Sequence, residues 1–199
     1  MMTKSFTPLA GHPFKTGTDI ARPKQVLPEH VTLDDPAINV MTDLRSVSVL
    51  NVRAKTSLDK ANAKMIRYGV RMLLVTDEAD KVCGVLTARD VLGDKPVLFL
   101  QQMGGTHADI LVRDVMSVTR EMQASSLEDV RKAKVGNILA MLKVAGRQHA
   151  LVVDNNADGS QTVCGLFSAT QIARQLGVQI GTTEIVKVFA EIEAKVSAK

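Results

Sequence analysis

Apolar positions change period along the chain. From Leu58 they fall three and four apart, at Leu58, Ala61, Met65 and Ile66, the stripe of an amphipathic helix. Ser57 stands where an N-cap belongs, and Gly69 where a helix ends in a left-handed residue. The pattern then becomes short and continuous. Met72 to Thr76 reads as a strand, Asp77 opens a turn, and Lys81 to Leu86 returns as the second arm of a hairpin. A helix begins near Ala88, while Val47 to Val52 reads as an earlier strand preceded by a short helix carrying Val40-Met41.

The same succession then recurs. Val135, Ile138, Leu139 and Leu142 repeat the helical stripe, Gly146 ends it, His149 to Val153 and Thr162 to Phe167 repeat the hairpin, and a helix begins near Ala169. Leu58 faces Val135 and Asp77 faces Asp154 at one offset of 77 residues, and Val40-Met41-Thr42 faces Val115-Met116-Ser117 at 75. The offset grows by four in the turn DNNADGSQTVCG, where an insertion is cheap. Each unit reads as β-α-β-β-α, an α/β fold. The repeat sets residues 124–129 against 47–52 as a strand. Ser126-Leu127-Glu128-Asp129 could instead cap a helix, a reading the gapless repeat outweighs.

The remaining segments follow from punctuation and stripe. Asp94-Lys95-Pro96, the run VLFLQQM and Gly104-Gly105 predict a linker helix. Met1 to His30 hold four of the six prolines and read as an extended arm, laid along the module or without fixed structure. Ile185, Val188, Phe189, Ile192 and Val196 form the stripe of a last helix, with Glu184 near its start and Lys195 near its end. The expected divisions are an arm at 1–33, repeat 1 at 34–94, a linker at 95–107, repeat 2 at 108–181 and a terminal helix at 182–199.

Composition narrows the function classes. With no Trp, one Tyr and five Phe in 199 residues, the core must be aliphatic. No apolar run approaches the ~18 residues of a membrane span, and no secretory signal is evident, so a soluble cytoplasmic protein is expected. The formal charge of +4 admits an anionic ligand, but no dense Lys/Arg block or Arg-aromatic interleaving argues for nucleic acid. Cys83 and Cys164 take equivalent places in the repeat and read as small buried hydrophobes rather than a disulfide. The four histidines lack metal-ligand spacing, and no catalytic motif appears, so no enzyme and no required cofactor are expected.

The candidate chemistry gathers at the strand-to-helix turns. Asp90 offers two acceptor oxygens, a match for two vicinal ribose hydroxyls. Thr87, three residues earlier, could cap the helix and reach a ligand, and the helix start offers free N–H groups to an anion. Plainer roles compete: Thr87 and Ser168 as caps, Asp90 as a complement to the helix dipole, Arg71 as a solvated charge, His149 as a core or edge residue. Gln171, aligned with Asp90, has only one acceptor oxygen and weakens any matching clamp in repeat 2; Arg174 is an alternative anion contact there.

Gly84-Val85-Leu86-Thr87-Ala88-Arg89-Asp90, with Asp114-Val115-Met116, Gly146-Arg147-Gln148-His149 and Gly165-Leu166-Phe167-Ser168, resembles the tandem CBS-domain pair, or Bateman module, over about Pro36 to Val178. The resemblance implies two repeats packed as a pseudo-twofold pair, with clefts between them for an adenosine ligand: AMP, ADP or ATP first, S-adenosylmethionine or NAD as alternatives. It implies ligand contacts from Val70, Arg71, Thr87, Arg89 and Asp90 in repeat 1 and from Arg147, His149 and Ser168 in repeat 2. It also implies a homodimer and a regulatory role exerted on an effector protein. A dimeric scaffold whose clefts bind nothing is the first alternative, supported by Gln171; a nucleic-acid-binding module is the second.

Overall fold

The computed structural model describes residues 26–178 and 185–197. Most of the expected arm, Glu184, and the side chains of Ile185 and Val188 lie outside the described residues. Two mixed four-stranded sheets form the frame. One has the order β2-β3-β4-β5, from Asn51–Arg53, Met72–Thr76, Val82–Thr87 and Ser117–Val118. The other has the order β1-β8-β7-β6, from Thr42–Asp43, Gln161–Ser168, His149–Asn155 and Ala124–Ser126. Helix α1 (Leu58–Tyr68) crosses between the parallel pair β2 and β3, and α6 (Val135–Val144) between β6 and β7.

The two hairpins share a register. Met72 faces Thr87 as His149 faces Ser168, and each has a bulge at the step beside its Cys-Gly pair. Leu74, Val85 and Leu151 meet where the sheets face each other, and the helices cover the outer faces. This gives four layers, helix, sheet, sheet, helix, as an α/β pair requires. Leu58, Ala61 and Met65 are buried under α1, and Val135, Ile138, Leu139 and Leu142 under α6, as the stripes predict, but Ile66, also placed on the first stripe, stands 73% exposed, one residue round the helix from Met65. Helix α8 (Ile185–Ser197) lays Phe189 and Ile192 on the second core.

The lead segments are exchanged. Strand β1, which opens repeat 1 in sequence, pairs with β8 of repeat 2 (Thr42 with Leu166, Asp43 with Gly165). Strand β5, which opens repeat 2, pairs with β4 of repeat 1 (Val85 with Ser117, Gly84 with Val118). This explains the paired glycines. A Cβ on Gly165 would stand 2.5 Å from Met41 Sδ, and one on Gly84 would stand 2.7 Å from the Ser117 carbonyl and 2.9 Å from Met116 Sδ. Each Val-Met motif therefore seats its sulfur on the glycine of the other unit. Backbone bonds extend the exchange: Leu58 N–H donates to Ile110 O and Val112 N–H to Thr56 O, while Ala37 N–H donates to Ala133 O and Gly136 N–H to Leu33 O.

Two local expectations change. The strand expected at 47–52 is present only at Asn51–Arg53, and the one expected at 124–129 ends at Ser126. Leu127–Lys132 form a helix, α5, capped by Ser126, whose Oγ accepts from Asp129 N–H at 3.1 Å and donates to its carboxylate at 2.6 Å. The strands correspond at an offset of 73 (Asn51 to Ala124), so α5 absorbs four residues the gapless alignment had hidden. At the other expected caps, Ser57 and Ser168 hold the N-cap position without a side-chain bond. Helix α3 (Lys95–Met103) occupies the linker, with Pro96 in its first turn and Gly104 at φ +73° after it. Cys83 and Cys164 are free thiols, half-buried and buried, and burial raises the pKa of both.

Candidate functional site

Two clefts open where the sheets meet, and each is built from both repeats. The first encloses about 440 Å³. One wall is the turn from β4 into helix α2 (Ala88–Leu92), bringing Thr87, Arg89 and Asp90, followed by Asp94 and Lys95. The facing wall is the turn from α6 into β7, bringing Arg147, Gln148 and His149. That turn is set by a left-handed glycine: Gly146 sits at φ +59°, and Arg147 N–H closes back on Leu142 O at 3.0 Å. The floor is apolar, with Met72, Val85, Met122 and Leu151.

The sequence candidates are redistributed between the clefts. Thr87, Arg89, Asp90, Arg147 and His149 share the first cleft with Arg71. Val70 and Ser168 do not line it; they line the second, of about 850 Å³, with Gln171 and Arg174. Arg71 and His149 line both and so form a shared wall. Each cleft takes its strand-to-helix turn from one repeat and its helix-to-strand turn from the other. A grouping of Arg147, His149 and Ser168 as one repeat-2 site is therefore corrected. Sequence reasoning missed Lys95, Ser117 and Met122, which no motif in the sequence marks.

Asp90 is buried, with 8 % of its surface exposed. Its Oδ2 accepts from Thr87 N–H at 2.8 Å and from Thr87 Oγ at 2.7 Å, while Thr87 Oγ accepts from Asp90 N–H at 3.3 Å. This is a reciprocal capping box. Asp90 Oδ1 pairs with Lys95 Nζ at 2.6 Å, and Lys95 Nζ also donates to Val115 O at 2.9 Å. Ala88 N–H is taken by Arg71 O at 2.8 Å. The expected row of free helix N–H groups is thus largely spent on the protein itself. Around the cleft stand four cations, Arg71, Arg89, Lys95 and Arg147, against two carboxylates, Asp90 and Asp94. Burial first, and the Arg71 charge second, push the His149 pKa down to about 4, so the shared wall carries a neutral imidazole.

The second cleft has a different chemistry. Gln171 Oε1 accepts from Thr42 Oγ at 3.2 Å. Gln175 Nε2 donates to Pro28 O at 2.7 Å and Asn39 O at 3.1 Å, which fixes its amide, and its buried Oε1 has no partner. The end of the arm, Leu27 to His30, forms part of this rim. Among the described residues no His, Cys, Asp or Glu cluster could hold a metal, and no helix is long and apolar enough to cross a membrane.

The comparisons agree with this fold. The family model of the CBS domain matches residues 37–94. No curated protein matches the chain. Among solved structures, an uncharacterized conserved protein from Pyrococcus horikoshii is 20% identical with a TM-score of 0.53, covering 77% of this chain and 100% of its own. CBSX2 from Arabidopsis thaliana, solved in complex with AMP, is 21% identical with a TM-score of 0.51, covering 70% and 94%. The CBS-domain pair of protein MJ0100, solved with 5'-methylthioadenosine and S-adenosyl-L-methionine, is 13% identical with a TM-score of 0.50, covering 72% and 97%. Residues 37–94 thus match a CBS domain, the same pattern is written out again behind it, and the chain has the fold of a tandem CBS-domain pair.

Proposed function

We propose that the chain is a regulatory module that holds an adenosine-containing ligand, AMP, ADP or ATP foremost, in the first cleft and passes its occupancy to a partner protein. The observation that carries this is the make-up of that cleft. A pocket of about 440 Å³ is within the range for small ligands. Its apolar floor suits a base, Asp90 suits a ribose, and the surplus of cations, Arg147 among them, suits phosphate. The AMP complex of CBSX2 and the S-adenosyl-L-methionine complex of MJ0100 support the ligand class. The module acts without catalysis of its own, in the cytoplasm, as a homodimer; exposed Ile66, Tyr68 and Leu92 offer apolar area for the second copy.

One observation favours the alternative of a scaffold that binds nothing: both carboxylate oxygens of Asp90 already have protein partners. Thermal melting with AMP, ADP, ATP, S-adenosylmethionine and NAD separates the two. A ligand at one hundred times its Kd adds about 2.7 kcal/mol. Stabilisation by an adenosine ligand that is lost in Arg147→Ala is the expected outcome. Stabilisation that survives Arg147→Ala would move the site out of the first cleft, and no shift with any ligand would leave the scaffold.

A further inference from the structure

We propose that Lys95 makes the first cleft selective for ligands that carry an anionic group as well as a vicinal diol, so that it takes nucleotides and refuses nucleosides. This deepens the adenosine-ligand reading of the same cleft and rests on it. Two donors from Thr87 fill Asp90 Oδ2. Oδ1 faces the Lys95 ammonium at 2.6 Å, in a side chain with 11% exposure. Each carboxylate oxygen offers about two acceptor sites. One ribose hydroxyl can therefore fit beside Lys95 on Oδ1, but a diol that donates both protons must displace the ammonium.

What happens to the displaced ammonium decides which ligand binds. Lys95 keeps one bond, to Val115 O at 2.9 Å, and breaking a partly buried ion pair without replacing it is costly. A nucleoside brings hydroxyls and no anion, so it leaves the ammonium without a counter-charge. A nucleotide brings both. The diol takes the carboxylate, and Lys95, on a flexible stem with 45% of its side chain exposed, turns to the phosphate. One ion pair is exchanged for two charge-assisted contacts. A phosphate without a diol does not complete the exchange, because Asp90 then loses its partner. Lys95 is the first residue of α3, so the exchange also re-seats the start of the helix that joins the two repeats.

The test is calorimetric titration of the full chain with AMP, ADP, ATP and adenosine, for wild type, Lys95→Met and Lys95→Arg. In wild type AMP is expected to bind at least about thirtyfold tighter than adenosine, the scale of one charge-assisted bond of about 2 kcal/mol. In Lys95→Met, AMP weakens and adenosine binds several-fold tighter than in wild type, because Asp90 is uncovered, and the preference collapses. Lys95→Arg keeps the preference, and its melting curve, with that of Lys95→Met, verifies the fold. AMP binding with an unchanged AMP-to-adenosine ratio in Lys95→Met would overturn the role of Lys95 and leave the adenosine reading intact. Failure of AMP, ADP and ATP alike to bind wild type would overturn that reading, and the selectivity with it.

Discussion

His149 is kept neutral by the wall in which it stands. Its pKa of about 4 lies below the ordinary 6.5, through burial and then the Arg71 charge. As pH falls through 6.5 the unfolded chain takes up a proton that the folded chain refuses. The residue's contribution is therefore fully present above 6.5 and is lost progressively toward pH 4, up to roughly 3 kcal/mol. Melting temperatures of wild type are expected to fall more steeply over that window than those of His149→Gln. Parallel curves would mean the imidazole is not the group that titrates. The sequence pointed to His149 as a cleft or core residue but could not say that it serves both clefts, since that follows from how the sheets face each other. Lys95 was hidden for a similar reason. A lone lysine at a helix start reads as solvated, and only the turn of α2 into α3 brings it onto Asp90.

At the scale of single elements, capping varies among serines of similar appearance. Ser126 closes a hydrogen bond onto the start of α5, whereas Ser57 leaves that task to the backbone, with Leu58 N–H held by Ile110 O at 2.9 Å. Ser126→Ala is expected to cost about 1 kcal/mol and Ser57→Ala close to nothing, by urea denaturation. Equal costs would show that α5 gains nothing from its cap. The amphipathic stripes made α1 and α6 legible, and the glycines after them marked their ends. Helix α5 showed only in its Ser126 cap, which the repeat outweighed, because Leu127 and Val130 are too few to separate a helical period from the end of a strand. The four inserted residues left the helices at the offset of 77 and were felt only upstream, where the pattern is thin.

Across the whole molecule the two cores depend on each other. Val40 and Met41 are buried in the core that holds α6 and β8, and Val112 and Val115 in the core that holds α1 and β4. Neither half can open without stripping a strand and several buried side chains from the other. Unfolding is therefore expected as one transition. The single tyrosine, Tyr68, reports on repeat 1, and circular dichroism reports on both. Coincident denaturation curves from the two probes fit the exchange, while separated midpoints would show halves that melt alone. The repeats were legible as a pattern, but the exchange was not, since strand pairing between distant segments leaves no mark in local periodicity.

The exchanged lead strands also say what the molecule is as an assembly. Thr42–Asp43 and Ser117–Val118 meet equivalent residues of β8 and β4 in the same register. Each half lends the other an arm and receives the same arm in return, the reciprocity of a domain-swapped dimer closed by a twofold axis. The polypeptide is such a dimer with its two partners tied together by α3. The tie fixes the local concentration of each partner for the other, and it frees the two halves to diverge, so that one turn keeps an aspartate while its twin carries a glutamine.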